Sequence, residues 1–168
     1  MSRLRRRCER RLQHIRIPQP FNLDTFCAVI ATHRGRPLIL QPTPGLSADA
    51  PCGLWISVPT ADYVCYDPGT SRLHAEHIVL HELGHMLSEH ATGGGIDVSG
   101  GALARLVPDL DPKTVSTILG RVRYSTAQEQ EAEMLASLIR ARAAAPPAGG
   151  DHPGGALGRV ADVLKFQS

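Results

Sequence analysis

The sequence predicts an α+β fold: a short three-stranded sheet packed on a long helix, followed in the chain by a second helix rich in glutamate. Three observations predict it. Residues 72–91 have helical spacing and place His81 and His85 one turn apart on the same face. Short apolar runs at 37–41, 53–58 and 63–67 are bounded by Gly, Pro and Asp, as strands are. The stretch 126–144 is a long helical run that carries Glu129, Glu131 and Glu133. With 168 residues, 42% of them hydrophobic and 20% charged, the chain can bury one core, leaving a tail over.

Residues 1–16 hold seven Arg against one Glu, a local charge of +6, so the net +2 of the whole chain leaves −4 on the rest. Leu4, Cys8, Leu12 and Ile15 recur among those arginines at helical spacing, which predicts an amphipathic basic helix within 1–20. Its charged face reads first as an ordinary solvated surface. Contact with nucleic acid or an acidic partner is the lesser alternative, and direct nucleic-acid binding is not expected. After Pro18 and Pro20, a helix is predicted over 23–32, capped by Asn22 or Asp24 and ending near Gly35.

The runs 53–58 and 63–67 form a hairpin through a turn at 59–62, and Asp67-Pro68-Gly69 closes the sheet. Thr70 or Ser71 caps the helix 72–91, which Gly93-Gly94-Gly95 ends. Two shorter helices are predicted at 101–107 and, behind Asp111-Pro112, at 113–121. The principal domain therefore spans 21–144, and 145–168 is expected to be a flexible Pro/Gly linker with a short tail.

Some classes are excluded. The longest apolar runs, such as 26–31, fall far short of the roughly 18–20 residues of a membrane span. No apolar stretch with a cleavage site follows the N-terminal arginines, so no secretory signal is expected and the expected location is cytoplasmic. Cys8, Cys27, Cys52 and Cys65 lack CxxC spacing, which suits reduced thiols, and no chemistry is assigned to them.

The chemistry lies in His81-Glu82-Leu83-Gly84-His85, an HExxH pattern on a helix. A catalytic zinc needs about three protein ligands, an open position for water and a base to take that water's proton. His81 and His85 supply two ligands, and Glu82 is placed to be the base. One Zn2+ per chain is the expected cofactor, with a purely structural histidine pair as the alternative. Ile78, Val79, Leu80, Leu83 and Leu87 surround the motif with apolar side chains. Gly84 lets another element approach closely despite its helix cost of about 1 kcal/mol.

The third ligand must come from elsewhere. His90, five residues past His85, points round the helix, and the longer HExxHxxGxxH pattern fails because Ser88 and Ala91 occupy its Gly and His positions. His74 and His77 are neighbours or surface residues. Glu129 and Glu133 share a helix face, beside Ala132 and Ala136, which are small enough for two helices to pack closely. Thr126 and Glu129 also match a capping box, in which Glu129 would only bond back to the helix start. Glu131 points towards the apolar side of Leu135 and Leu138, so it is either frayed into solvent or itself the ligand. Spacing leaves Glu129, Glu131 and Glu133 open.

These two motifs resemble those of the ImmA/IrrE family of metallo-endopeptidases. His81-Glu82-Leu83-Gly84-His85 matches its zinc helix, and Glu129-Gln130-Glu131-Ala132-Glu133-Met134-Leu135-Ala136 is similar to its downstream E-x-x-A-N/D-x-F-A helix. The likeness spans about 21–142. Glu133 stands where Asn or Asp is usual, Leu135 replaces Phe, and the usual Leu-Met-Pro ending is missing after Ile139. The resemblance implies a zincin-like metallopeptidase domain with Glu129 as third zinc ligand and Glu133 supporting a ligand from behind. It also implies a protein substrate, such as a DNA-binding helix-turn-helix repressor.

The expected function is therefore a zinc-dependent endopeptidase that hydrolyses a peptide bond in a regulatory protein, with the substrate laid along the sheet edge as an added strand. The alternative is a zinc-binding regulatory or interaction module of a phage or toxin-antitoxin system with little catalysis. A zinc hydrolase acting on a small amide or a peptidoglycan peptide ranks lower, because no signal peptide is seen.

Overall fold

Local signals account for most of the helix ends. Asn22 accepts the Thr25 N–H at 2.8 Å and starts a helix, and Gly35, at φ 67°, ends it in the left-handed conformation that a glycine adopts without a Cβ penalty. A computed structural model of the chain describes residues 2–44, 53–58, 60–90 and 124–146. The helices expected at 101–107 and 113–121, the glycines at 93–95, Cys52 and residues 147–168 lie outside the described residues. Within them the elements run α1 (Arg3–Arg11), α2 (Leu23–Arg34), β1 (Leu38–Pro42), β2 (Gly53–Val58), β3 (Ala61–Tyr66), α3 (Arg72–Leu87) and α4 (Thr126–Ala144). The architecture is α+β with a small mixed sheet. Among the described residues no helix is long and apolar enough to cross a membrane.

The sheet has the order β1-β3-β2, with β1 parallel and β2 antiparallel to β3. β3 takes the centre because Ala61, Asp62, Val64 and Cys65 are all buried, whereas β1 is only partly covered and ends on Pro42, which has no N–H to give to a ladder. The hairpin closes at Val58↔Ala61, tighter than the predicted turn. One face of the sheet packs on α3, and α4 packs across α3. Phe26, Ile30, Val64, Val79, Leu80, Leu83, Leu135 and Ile139 form the core between them.

The basic N-terminal segment belongs to this same core. Cys8, Leu12 and Ile15 are buried with the residues just named. α1 stops at Arg11, short of the expectation, but turns Gln13 N→Arg10 O and Ile15 N→Leu12 O keep the chain winding, so Ile15 still lands on the buried face. The basic face is not wholly solvated either. Arg7 and Arg11 both bind Glu131 of α4.

The ends of the two long helices also differ from expectation, with consequences for the site. α3 ends at Leu87 rather than at 91: Glu89 N bonds to Met86 O, His90 N bonds to His85 O, and Glu89 adopts φ 52°. This Schellman pattern turns the chain back on the helix. At the start of α4, Ser125 is the N-cap and its capping box is closed by Gln128. The Thr126 and Glu129 box considered from spacing is therefore not formed. The shift of one residue leaves the Glu129 side chain free.

Candidate metal centre

α3 and α4 can bring their side chains together because small residues meet at the crossing. A Cβ on Gly84 would stand 2.7 Å from the Ala132 carbonyl oxygen, so only glycine permits this approach. Glu129, one turn before Ala132, then faces α3. His81 Nε2 lies 3.1 Å from Glu129 Oε2 and 3.1 Å from His85 Nε2, and His85 Nε2 lies 3.6 Å from Glu129 Oε2. One donor atom from each of His81, His85 and Glu129 falls within 4.8 Å of the other two, a group that could hold a metal ion. Ligands placed about 2.0–2.2 Å from a tetrahedral ion stand roughly 3.3–3.6 Å apart; one separation matches and the two of 3.1 Å need to open by about 0.2 Å, and the N, N, O donor set suits zinc.

The outer contacts are specific. Glu133 Oε2 lies 3.4 Å from His81 Nδ1 and 3.2 Å from His77 Nε2, behind the first histidine. His77 is thus a neighbour of the cluster, through Glu133. Glu131 is neither frayed into solvent nor a member of the cluster. It is buried on the α1 side, held by two bonds from Arg7 at 2.8 and 2.6 Å and one from Arg11 at 3.2 Å. Burial alone would raise its pKa, but the bond from His90 and the two arginines outweigh it and hold the carboxylate below its ordinary range. The apolar surroundings anticipated for Glu131 are offset by charges from a helix more than a hundred residues earlier.

His90 sits behind His85. The turn at Glu89 brings His90 Nδ1 to 3.0 Å from His85 Nδ1, and its Nε2 lies 3.3 Å from Glu131 Oε2. Tyr124 stacks on His85 at 3.6 Å between ring centroids. Its hydroxyl is buried without a partner among the described residues. Burial, and then the Glu82 and Glu129 carboxylates, push that phenol well above its usual pKa, so it keeps its proton.

Glu82 turns the other way, towards β2. It is only 4% exposed, and its Oε2 accepts the backbone N–H of Trp55 at 3.0 Å. Gly53 makes the space, since a Cβ there would stand 2.9 Å from Glu82 Cγ. Trp55 is fixed in turn: its Nε1 donates to the buried Asp62 at 3.1 Å, and Asp62 also pairs with Arg34 at 2.8 Å. Burial pushes Glu82 up to about 8, with the Trp55 N–H pulling it back and Glu129 adding to the rise. Burial, and then His81 and His90, push His85 down to about 3, so its ring is neutral and its lone pair is available at neutral pH.

These two shifts predict the pH profile of the metal-free protein. Glu82 keeps its proton in the folded state where the unfolded chain has lost it, so stability falls as pH rises from about 4.5 to about 8. His85 refuses a proton that the unfolded chain accepts, so stability falls as pH drops from about 6.5 to about 3. The two oppose one another in the overlap. In the presence of a chelator, the denaturation free energy should therefore be flat near pH 5–6 and fall by about 1 kcal/mol per pH unit between about 6.5 and 8. Glu82→Gln should abolish the decline on the neutral side. A decline that persists in that variant would assign it to other groups.

Several of these residues escaped the sequence reading. Tyr124, Trp55 and Gly53 carry no local pattern, and only tertiary contact distinguishes them. Arg7 and Arg11 were visible as charges without a partner. His90 was set aside as a ligand and does lie outside the cluster, but its place behind His85 depends on where α3 ends. In comparisons with known proteins, no family model matches this chain, nor does any curated protein or solved structure.

Proposed function

We propose that this protein is a zinc-dependent endopeptidase, with His81, His85 and Glu129 holding the zinc and Glu82 serving as general base. The observation that carries the proposal is the convergence of those three donor atoms beside a buried carboxylate that is not among them. The likeness of both helices to the ImmA/IrrE motifs supports the same reading and favours a protein substrate. Zinc, when bound, polarises the scissile carbonyl and makes water easier to deprotonate.

The protein's own groups do the rest. Glu82 Oε2 is held by the Trp55 N–H, which leaves Oε1 to take a proton from the attacking water. A pKa raised towards neutrality suits a group that must accept that proton and then return it. As the C–O bond forms and the C–N bond breaks, Glu82 delivers the proton to the departing amine nitrogen. Glu133, with Oε2 3.4 Å from His81 Nδ1, stands on the far side of that ring and steadies its orientation by charge. Tyr124 covers one face of His85 and keeps a phenol proton beside the cluster. A groove of about 490 Å3 lined by Leu4, His81, Glu129, Glu133, Met134 and Ser137 adjoins the donors and gives a substrate side chain somewhere to lie.

The test combines metal analysis with turnover. The purified protein should carry about one zinc per chain, lost in His81→Ala and reduced in Glu129→Ala. Glu82→Gln should keep its zinc and lose about 10²- to 10⁴-fold in cleavage of a peptide library followed by mass spectrometry. A zinc-free wild type would overturn the proposal. Zinc uptake with no cleavage that depends on Glu82 would instead favour a zinc-binding regulatory module.

A further inference from the structure

The contacts behind His85 form one directional chain, and its direction can be deduced. Glu131, held ionised between Arg7 and Arg11, only accepts hydrogen bonds. His90 must therefore carry its proton on Nε2, which faces Glu131 at 3.3 Å. A ring that carries this one proton has a bare Nδ1. That atom lies 3.0 Å from His85 Nδ1, so His85 must be the donor there. With its proton on Nδ1, His85 presents a bare Nε2 to His81 and Glu129, the tautomer that a metal ligand requires. Every member is anchored: Glu131 is buried on α4, His90 is set by the turn at Glu89, and Arg11 also donates to the Leu87 carbonyl at 3.1 Å, at the last residue of α3.

We infer that α1 is a working part of the metal centre: Arg7 and Arg11 act through Glu131 and His90 as positioning residues that fix the tautomer and orientation of His85. The inference rests on the metal-binding reading proposed above, and it assigns the N-terminal arginines a role other than binding an external partner. It also explains why α1 packs on α4 at Glu131, where Cys8 Sγ lies 3.8 Å from the Glu131 carbonyl oxygen.

The test measures zinc dissociation constants by chelator competition for the full-length wild type, Glu131→Gln, His90→Gln and the double variant. Cobalt-substituted samples are compared by visible absorption. Each single variant should bind zinc about 10- to 100-fold more weakly and shift the cobalt ligand-field bands. Because the two residues act in series, the double variant should be no weaker than the weaker single variant, whereas two unrelated structural roles would multiply. Thermal unfolding of the metal-free forms separates lost folding from lost affinity. If Glu131→Gln does not fold, His90→Gln decides alone. Single variants within twofold of wild type, or a multiplicative double, would overturn the inference while the zinc site stands. A wild type that binds no zinc would remove the metal reading, and this inference with it.

Discussion

Gly84→Ala is expected to destabilise the protein by about 2 kcal/mol, although alanine is the better helix former. In an exposed helix the exchange would gain about 1 kcal/mol. Here the new Cβ would stand 2.7 Å from the Ala132 carbonyl oxygen and 2.9 Å from its Cα. Those are backbone atoms that cannot rotate aside, so α4 must move away from α3, at an overpacking cost of about 3 kcal/mol. Against a total stability of roughly 5–15 kcal/mol the net loss is substantial. Glu129 lies one turn before Ala132 on α4, so the movement also carries its carboxylate away from His81 Nε2, now 3.1 Å distant. Zinc affinity should fall with stability, by about tenfold or more. Denaturant midpoints and chelator competition measure the two effects. A variant more stable than wild type by about 1 kcal/mol would show that the helices do not approach this closely.

Gly53→Ala should produce a different pair of effects. A Cβ there would meet Ile78 Cγ2 at 2.6 Å, Glu82 Cγ at 2.9 Å and Glu82 Oε1 at 3.0 Å. Alanine in a strand ordinarily gains roughly 0.5–1 kcal/mol over glycine. Here a branched methyl and a buried carboxylate must both give way, and the expected result is a loss of about 2 kcal/mol. Glu82 is pushed off the Trp55 N–H, but none of the three converging donors lies on β2. Zinc affinity should therefore stay within about threefold of wild type, while any turnover that depends on Glu82 falls at least tenfold. Equal losses of zinc and turnover would mean that Gly53 supports the whole centre rather than the base alone. The two glycines together separate the side of α3 that carries the converging donors from the side that carries Glu82.

The helices were legible because their signals are local. Asn22, Gly35 and Ser71 each cap a helix within three residues of where they stand in sequence, and the heavily apolar surroundings of His81 and His85 announce a buried helix face. The strands at 37–41 and 53–58 were found to within one residue, and 63–67 starts two residues late because the hairpin turn is tighter than a four-residue loop. Helix ends were harder. The stop of α3 depends on Glu89 accepting φ 52°, which a sequence reading would assign to glycine, and so it was placed too far along, at 91. At α4, Ser125 with Gln128 and Thr126 with Glu129 both fit a capping pattern, and spacing alone does not choose between them.

By itself, the sequence determined the α+β class, the helical placement of His81, Glu82 and His85, and the three glutamates from which a further donor could come. Each of these follows from interactions within a turn or two of helix or from strand alternation, which short-range pattern carries. Only the tertiary structure chose among the glutamates. Glu129 faces His81 because Gly84 lets Ala132 come close, Glu133 stands behind His81, and Glu131 is drawn to the far side by Arg7 and Arg11. The choice depends on partners about 50 to more than 100 residues away, whose charge and bulk set the energy of each carboxylate's position, and no spacing along one helix contains that information.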